Sequence, residues 1–303
     1  MKGRSLLRRT VDLWVGRYAE PDPAALAAVA DLKPIVVVTG GSRGIGLALA
    51  RRFAKAGHDV AIVARHADAL QAAAASIAQE HDVAALAIPM DVTKPDAAER
   101  IDAGLAGKGF YLDTLINCAG VGLAGPFVRN PEARIAGLLD LNVTALTRLT
   151  RHALPKMLAR GSGGILNVAS LGGLVPGPNQ AAYYASKSYV VSLTRAIATE
   201  NAGRGVRFMA LAPGPVNTGF HDAMGAELSF YRQLLLALSA DQTARAAYRA
   251  YVSGCHLFVP GVTGKLLQIA VWIIPHALVL PIVGWLLRRR EERPWSDTPD
   301  KDR

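Results

Sequence analysis

The chain has 303 residues, enough to bury a large core as one α/β domain or two small ones. Hydrophobic residues make up 51% and charged residues only 19%, which excludes a disordered chain. A formal net charge of +10 points to anionic partners, a phosphorylated cofactor or an acidic membrane surface, and no basic run interleaved with aromatics marks a nucleic-acid partner.

Residues 1–33 read as an extension ahead of the main domain. Leu6, Leu7, Val11, Leu13, Trp14 and Tyr18 share one face of a helical wheel, with Arg4, Arg8, Arg9 and Asp12 opposite. A basic amphipathic helix of this kind can lie on anionic lipid or dock on its own domain. The same charges break any apolar run, so no cleavable signal is expected.

From residue 34 to about 260, short apolar runs alternate with Ala-rich stretches of helix length. The runs at 35–40, 59–64, 83–92, 112–120, 163–170 and 205–214 are several times apolar without alternation, as strands buried on both faces are. Between them, 43–56, 67–80, 131–159 and 180–202 read as helices. Repeated β-α units with right-handed crossovers predict a doubly wound parallel sheet between two helical layers, a Rossmann-type α/β fold. Cys118 and Cys255 form no disulfide framework, and no histidine has metal-ligand spacing.

The first strand runs into "TGGSRGIG", which places Gly40, Gly44 and Gly46 at the turn into the first helix. Glycines there let the backbone approach a pyrophosphate, and the helix N-terminus offers free N–H groups. Further along, "AAYYASKSYV" sets Tyr183 four residues before Lys187, on one helical face. A cation beside a phenol favours the phenolate, so the expected effect of Lys187 is to lower the tyrosine's pKa. Tyr184 points roughly 100° away.

Thr39-Gly40-x-x-x-Gly44-Ile45-Gly46 together with Tyr183-x-x-x-Lys187 resembles the short-chain dehydrogenase/reductase family. Four further stretches fall in that family's order: "NCAG" with Asn117, Ala119 and Gly120; Asn142 in "LNVTA"; Ser170, thirteen residues before Tyr183; and "PGPVNT" with Pro213, Gly214, Val216 and Thr218. Cys118 departs from the family pattern, which has asparagine there. The resemblance implies hydride transfer between a nicotinamide cofactor and a carbonyl or alcohol. Tyr183 would be the acid/base, Ser170 the hydrogen-bond partner of the substrate carbonyl, Lys187 the holder of the ribose, and Asn142 the anchor of a relay water. It also implies cofactor contacts from Ser42 and from Asp91, near the adenine ring, and pairing of subunits through the helices of Asn142 and Tyr183.

In dinucleotide-binding folds an acid after the second strand binds the ribose 2′-hydroxyl, and basic residues accept a 2′-phosphate. Here that position reads Ala64-Arg65-His66, and Arg43 lies in the glycine loop, so NADP(H) is the expected cofactor. The substrate region 219–253 is apolar, with Phe220, Met224, Leu228, Phe230, Tyr231, Leu234, Leu235 and Leu236, and "SADQ" at 239–242 reads as a capping box. A hydrophobic substrate fits these residues. A hydroxysteroid- or retinoid-like dehydrogenase is an alternative, as is a non-catalytic NADP(H)-sensing regulator, against which the intact Ser170, Tyr183 and Lys187 argue.

The tail, 261–303, contains "LLQIAVWIIPHALVLPIVGWLL" (266–287) followed by three arginines. Its length would span a bilayer, but Pro275 and Pro281 favour two short apolar helices, on a membrane or across a substrate tunnel. The sequence thus leads to the cytoplasmic face of a membrane as the expected location.

Overall fold

Strand β1 (Lys33–Thr39) is buried on both faces, and its neighbours explain why its apolar run does not alternate. Ile35 and Val37 pack with Ile101, Leu105, Leu149 and Met157 in one layer, while Val36 and Val38 meet Leu49, Phe53, Leu70 and Ile77 in the other. Burying each such side chain stabilises the fold by about 1.5–3 kcal/mol relative to leaving it exposed. The computed structural model describes residues 20–224 and 237–288.

The other strands are β2 (Val60–Ala64), β3 (Ala85–Pro89), β4 (Phe110–Asn117), β5 (Gly163–Val168), β6 (Val206–Leu211), a small pair β7 (Val216–Asn217) and β8 (Leu238–Ser239), and β9 (Leu257–Phe258). Seven of them form one parallel sheet in the order β3-β2-β1-β4-β5-β6-β9. This is the doubly wound α/β fold expected from the sequence. The strand order reverses between β1 and β4, and a crevice opens beyond the carboxyl ends of strands at such a reversal.

The helices are α1 (Pro23–Ala27), α2 (Gly44–Ala54), α3 (Ala67–His81), α4 (Ala97–Ala106), α5 (Glu132–Leu139), α6 (Leu146–Arg160), α7 (Ala181–Glu200), α8 (Phe220–Ala223), α9 (Ala240–Val252), α10 (Val262–Ile273) and α11 (His276–Leu287). The capping box read from "SADQ" opens α9: Ser239 Oγ accepts from the Gln242 backbone N–H at 3.0 Å, and the Gln242 side chain accepts from the Ser239 N–H at 2.9 Å.

One stretch departs from the sequence reading. The single helix expected over 131–159 is α5 and α6 joined by a π-helical segment, Asp140–Ala145, centred on Asn142. A wide turn of this kind often marks a functional position. The apolar stretch 266–287 falls into two short helices, as its prolines favour. Ile274 is extended (φ −82°, ψ 131°) ahead of Pro275, as residues before proline prefer, and separates α10 from α11. Each helix has 12 residues, about 18 Å, against the roughly 30 Å of a hydrocarbon core. Among the described residues no helix is long and apolar enough to cross a membrane. The amphipathic face expected near Trp14, the substrate-loop residues Leu228, Phe230, Tyr231, Leu234, Leu235 and Leu236, and Arg289 and Arg290 lie outside the described residues.

Candidate active site

A cavity of about 1370 Å³ occupies the crevice at the sheet's switch point. One end is built by the turn from β1 into α2. Gly40 takes φ +68°, and a Cβ there would meet the Ala119 backbone at 2.9 Å, while a Cβ on Gly46 would strike the Gly40 carbonyl at 2.3 Å. Only glycine lets the loop fold this tightly against the end of β4. Ser42, Arg43, Gly44, Ile45 and Gly46 line the cavity, and the N-terminal turn of α2 carries no acidic side chain. These residues fit the pyrophosphate of a dinucleotide: space that a Cβ would fill, and a helix N-terminus facing it.

Arg65 and Asp91 also line this end. The Asp91 carboxylate accepts from the Thr93 N–H at 3.0 Å and the Thr93 hydroxyl at 2.8 Å, which hold its pKa below the ordinary value, helped by Lys94 and Arg65. Asp68 is exposed on the first turn of α3 and is not part of the wall.

Thr39 and Asn117 support the site rather than line it. Thr39 Oγ1 accepts from the N–H groups of Cys118 and Ala119, both at 3.1 Å, fixing the loop after β4. Asn117 Nδ2 donates to Thr150 Oγ1 and Asn167 Oδ1, inside the core. Ala119 and Gly120 reach the cavity, as do Pro213, Gly214, Val216 and Thr218 opposite.

The catalytic candidates come together at the centre. Ser170 ends the segment after β5 and caps a short 3₁₀ turn, with its Oγ accepting from the Gly172 N–H at 3.1 Å. Tyr183 and Lys187 lie one turn apart on α7, both buried. Burial pushes the Tyr183 phenol up to about 12, with a hydrogen bond to Ser170 pulling the other way. Burial pulls Lys187 down to about 8, opposed by the nearby Cys118. The expected lowering of the tyrosine by Lys187 is therefore corrected. The ammonium is 5.9 Å from the Tyr183 ring centroid and donates to the Val168 carbonyl at 2.9 Å, so desolvation prevails.

Asn142 sits behind this pair. Its Oδ1 accepts from the Val121 N–H at 2.9 Å, and its Nδ2 donates to the Val121 carbonyl at 2.9 Å and to Ser186 Oγ at 3.1 Å. The side chain thus clamps the loop after β4 against α7. Gly120 lies between them: a Cβ there would meet Asn142 Oδ1 at 3.1 Å and Lys187 Nζ at 3.5 Å.

A family model described as short chain dehydrogenase matches residues 34–229. The chain belongs to the short-chain dehydrogenase/reductase family. It is 34% identical over 246 residues to a 3beta-hydroxysteroid dehydrogenase 1 of Eggerthella lenta, covering 76% of this chain and 94% of that one. Among solved structures it is similar to a short-chain dehydrogenase from Sphingobium yanoikuyae in complex with NADPH, at 30% identity and TM-score 0.70, covering 80% of this chain and 97% of the other. It is also similar to a bulky-bulky ketone specific alcohol dehydrogenase from Comamonas testosteroni, at 26% identity and TM-score 0.66, over 80% and 96% of the two chains. As a member of this family the protein is an NAD(P)-dependent oxidoreductase acting on CH–OH donors.

The far end of this dehydrogenase's cavity is apolar, and much of it escapes sequence reasoning. Phe220 packs on Tyr183 with ring centroids 5.7 Å apart, and Met224 covers Gly122, where a Cβ would meet its side chain at 2.7 Å. The tail adds Leu267, Val271, Val283, Leu286 and Leu287 to the wall, contacts whose only sequence signal is the apolar composition of 266–287. Gln180 lines the cavity too, three residues before the tyrosine, and no spacing rule marks it.

Proposed function

We propose that the chain is an NADP(H)-dependent reductase of a carbonyl, or oxidant of the matching secondary alcohol, in a hydrophobic substrate. The observation that carries this reading is a single cavity with Arg43 and Arg65 at the glycine-loop end, Ser170 and Tyr183 in the middle, and Phe220, Met224, Val271 and Leu286 beyond them. The nicotinamide, when bound, supplies or accepts the hydride. The protein does the rest. Tyr183 Oη gives its proton to the carbonyl oxygen in reduction and takes it back in oxidation, and Ser170 hydrogen-bonds the same oxygen as charge develops there. Lys187, which lines the cavity beside Tyr183, supplies a positive charge at neutral pH, and the apolar wall excludes water. The name of the Comamonas relative, which specifies bulky ketones, supports a roomy substrate end.

The cofactor test is direct. Hydrogen bonds between charged groups contribute about 1.5–3 kcal/mol, so NADPH is expected to bind about tenfold or more tighter than NADH. Arg65→Asp should shrink or reverse that preference in a fluorescence titration. Equal binding of the two cofactors by the wild type would remove this part of the reading. A screen of ketones of rising chain length tests the substrate class, with kcat/KM expected to climb with length.

We also propose that the tail rests on an anionic lipid surface. The side of α10 and α11 away from the cavity leaves Leu266, Ile269, Trp272, Ile273, Leu278 and Trp285 exposed. Residues 261–288 carry no acid, and Lys265 and Arg288 are exposed beside the patch. Tryptophans with a basic rim and no carboxylate suit a headgroup layer better than a second copy of the same apolar face.

A further inference from the structure

The loop between β4 and α5 carries a short tip bounded by Pro126 and Pro131. Phe127–Arg129 form a single 3₁₀ turn there, which leaves Phe127 59% and Val128 74% exposed. The tip is built rather than slack. The Arg129 N–H donates to the Pro126 carbonyl at 3.0 Å, and Asn130 Nδ2 donates to the carbonyls of Gly125 and Pro126 at 3.2 and 3.3 Å. Two adjacent apolar side chains held in water by an ordered turn add nothing to the core and mark a contact surface.

The tip shares a rim with the tail. The Gly125 N–H donates to the Asn179 carbonyl at 2.8 Å, and Asn179 Nδ2 reaches the Gly284 carbonyl of α11 at 3.4 Å. Behind the tip, Leu123, Ile135 and Leu138 belong to one apolar cluster with Val283 and Leu287 of α11. Residues 121–131 carry no acid, and Arg129 closes the turn, so the tip has the same charge character as 261–288. Two side chains offer far less than the roughly 800 Å² that each partner contributes to a stable protein interface. A protruding Phe-Val pair beside a basic residue suits a fluid anionic layer better.

We propose that the Phe127–Val128 tip is a second membrane contact, inserted into the same anionic lipid layer on which α10 and α11 rest. The inference rests on the lipid reading of the tail and extends it to the catalytic domain. Val121 and Gly122, at the root of the tip, line the cavity, as do Leu267, Val271 and Val283 of the tail. Contacts made by both segments fix the tilt of the domain and hold the apolar end of the cavity against the lipid, where a hydrophobic ketone is concentrated.

Phosphatidylcholine vesicles containing phosphatidylserine provide the test. Phe127→Ser combined with Val128→Ser removes the apolar tip without adding charge. It should lower the partition coefficient of the full chain at least about tenfold, with Tm close to wild type because both side chains are exposed. Phe127→Trp should show emission at shorter wavelength on the vesicles, and quenching by brominated phospholipid beyond that of the native tryptophans. This second measurement holds even if the serine variant folds poorly. Wild-type partitioning of the serine variant, or no added quenching in Phe127→Trp, overturns the tip while a vesicle-bound wild type keeps the tail on lipid. A wild type that binds no vesicles removes the tail reading and the tip with it. Emission of Phe127→Trp that shifts with protein concentration and without lipid would instead assign the tip to a second copy of the chain.

Discussion

Tyr183 Oη must hold a proton to reduce a carbonyl and lack one to oxidise an alcohol. With burial holding the phenol up near 12, the protonated form dominates at neutral pH, and the ionised form grows about tenfold per pH unit below that value. The sign follows. The logarithm of kcat/KM for alcohol oxidation should rise between pH 6 and 7.5, below the value near 8 at which Lys187 loses its charge, while carbonyl reduction should not rise over the same range. Tyr183→Phe should lower both directions by about 10²–10⁴-fold and leave NADPH binding close to wild type, since only the proton is lost. Tyr184→Phe should be mild, because the Tyr184 ring packs over Gly172 and Gly177 and keeps its shape without the hydroxyl. A reduction rate that climbs with pH, or a crippled Tyr184 variant beside an active Tyr183 variant, would reverse the assignment. The pairing of Tyr183 with Lys187 was legible from their spacing. The direction of the shift was not, because it depends on how deeply the fold buries both groups.

At the scale of elements, the π-helical segment is where sequence and structure part most clearly. Residues 131–159 read as one helix despite Gly137 and Pro155, and neither of these lies in the π-helical segment. The widened turn coincides with bonds from elsewhere: Val121 holds both ends of the Asn142 amide, and Ser186 on α7 takes its second donor. The strands and the glycine loop, by contrast, were legible because apolar runs and Gly40, Gly44 and Gly46 carry their own local signals. Asn142→Ala removes all three bonds and leaves the Val121 backbone groups unpaired. We expect a loss of about 1–3 kcal/mol in urea unfolding, together with reduced turnover as the loop carrying Gly120 loosens beside Lys187. Asn142→Asp, which still accepts from the Val121 N–H, should recover part of the stability. A wild-type urea midpoint for the alanine variant would show that the clamp is not needed.

Across the whole molecule, the tail joins the cavity to the outside. Its apolar length and two prolines were legible, and so was the choice between a membrane and a substrate tunnel. What the sequence does not reveal is that α10 and α11 divide their faces between the cavity and the outside: Leu267, Val271, Val283 and Leu286 turn to the cavity, while Trp272, Ile273 and Leu278 remain 61%, 75% and 63% exposed. That division dictates the test. Deleting the tail would open the cavity, since Val279 and Leu287 are buried. Charges on the outer face leave those contacts alone. We expect the full chain to sediment with anionic liposomes, and Trp272→Glu, Ile273→Glu and Leu278→Glu in combination to release it while the Tm stays near wild type. High salt should weaken binding only in part, because the basic rim is screened and the buried apolar area is not. If the intact protein stays in the supernatant as a detergent-free dimer, and the triple variant turns it into monomer, the patch pairs two copies of the chain. The lipid proposal then falls while the chemistry at Tyr183 stands.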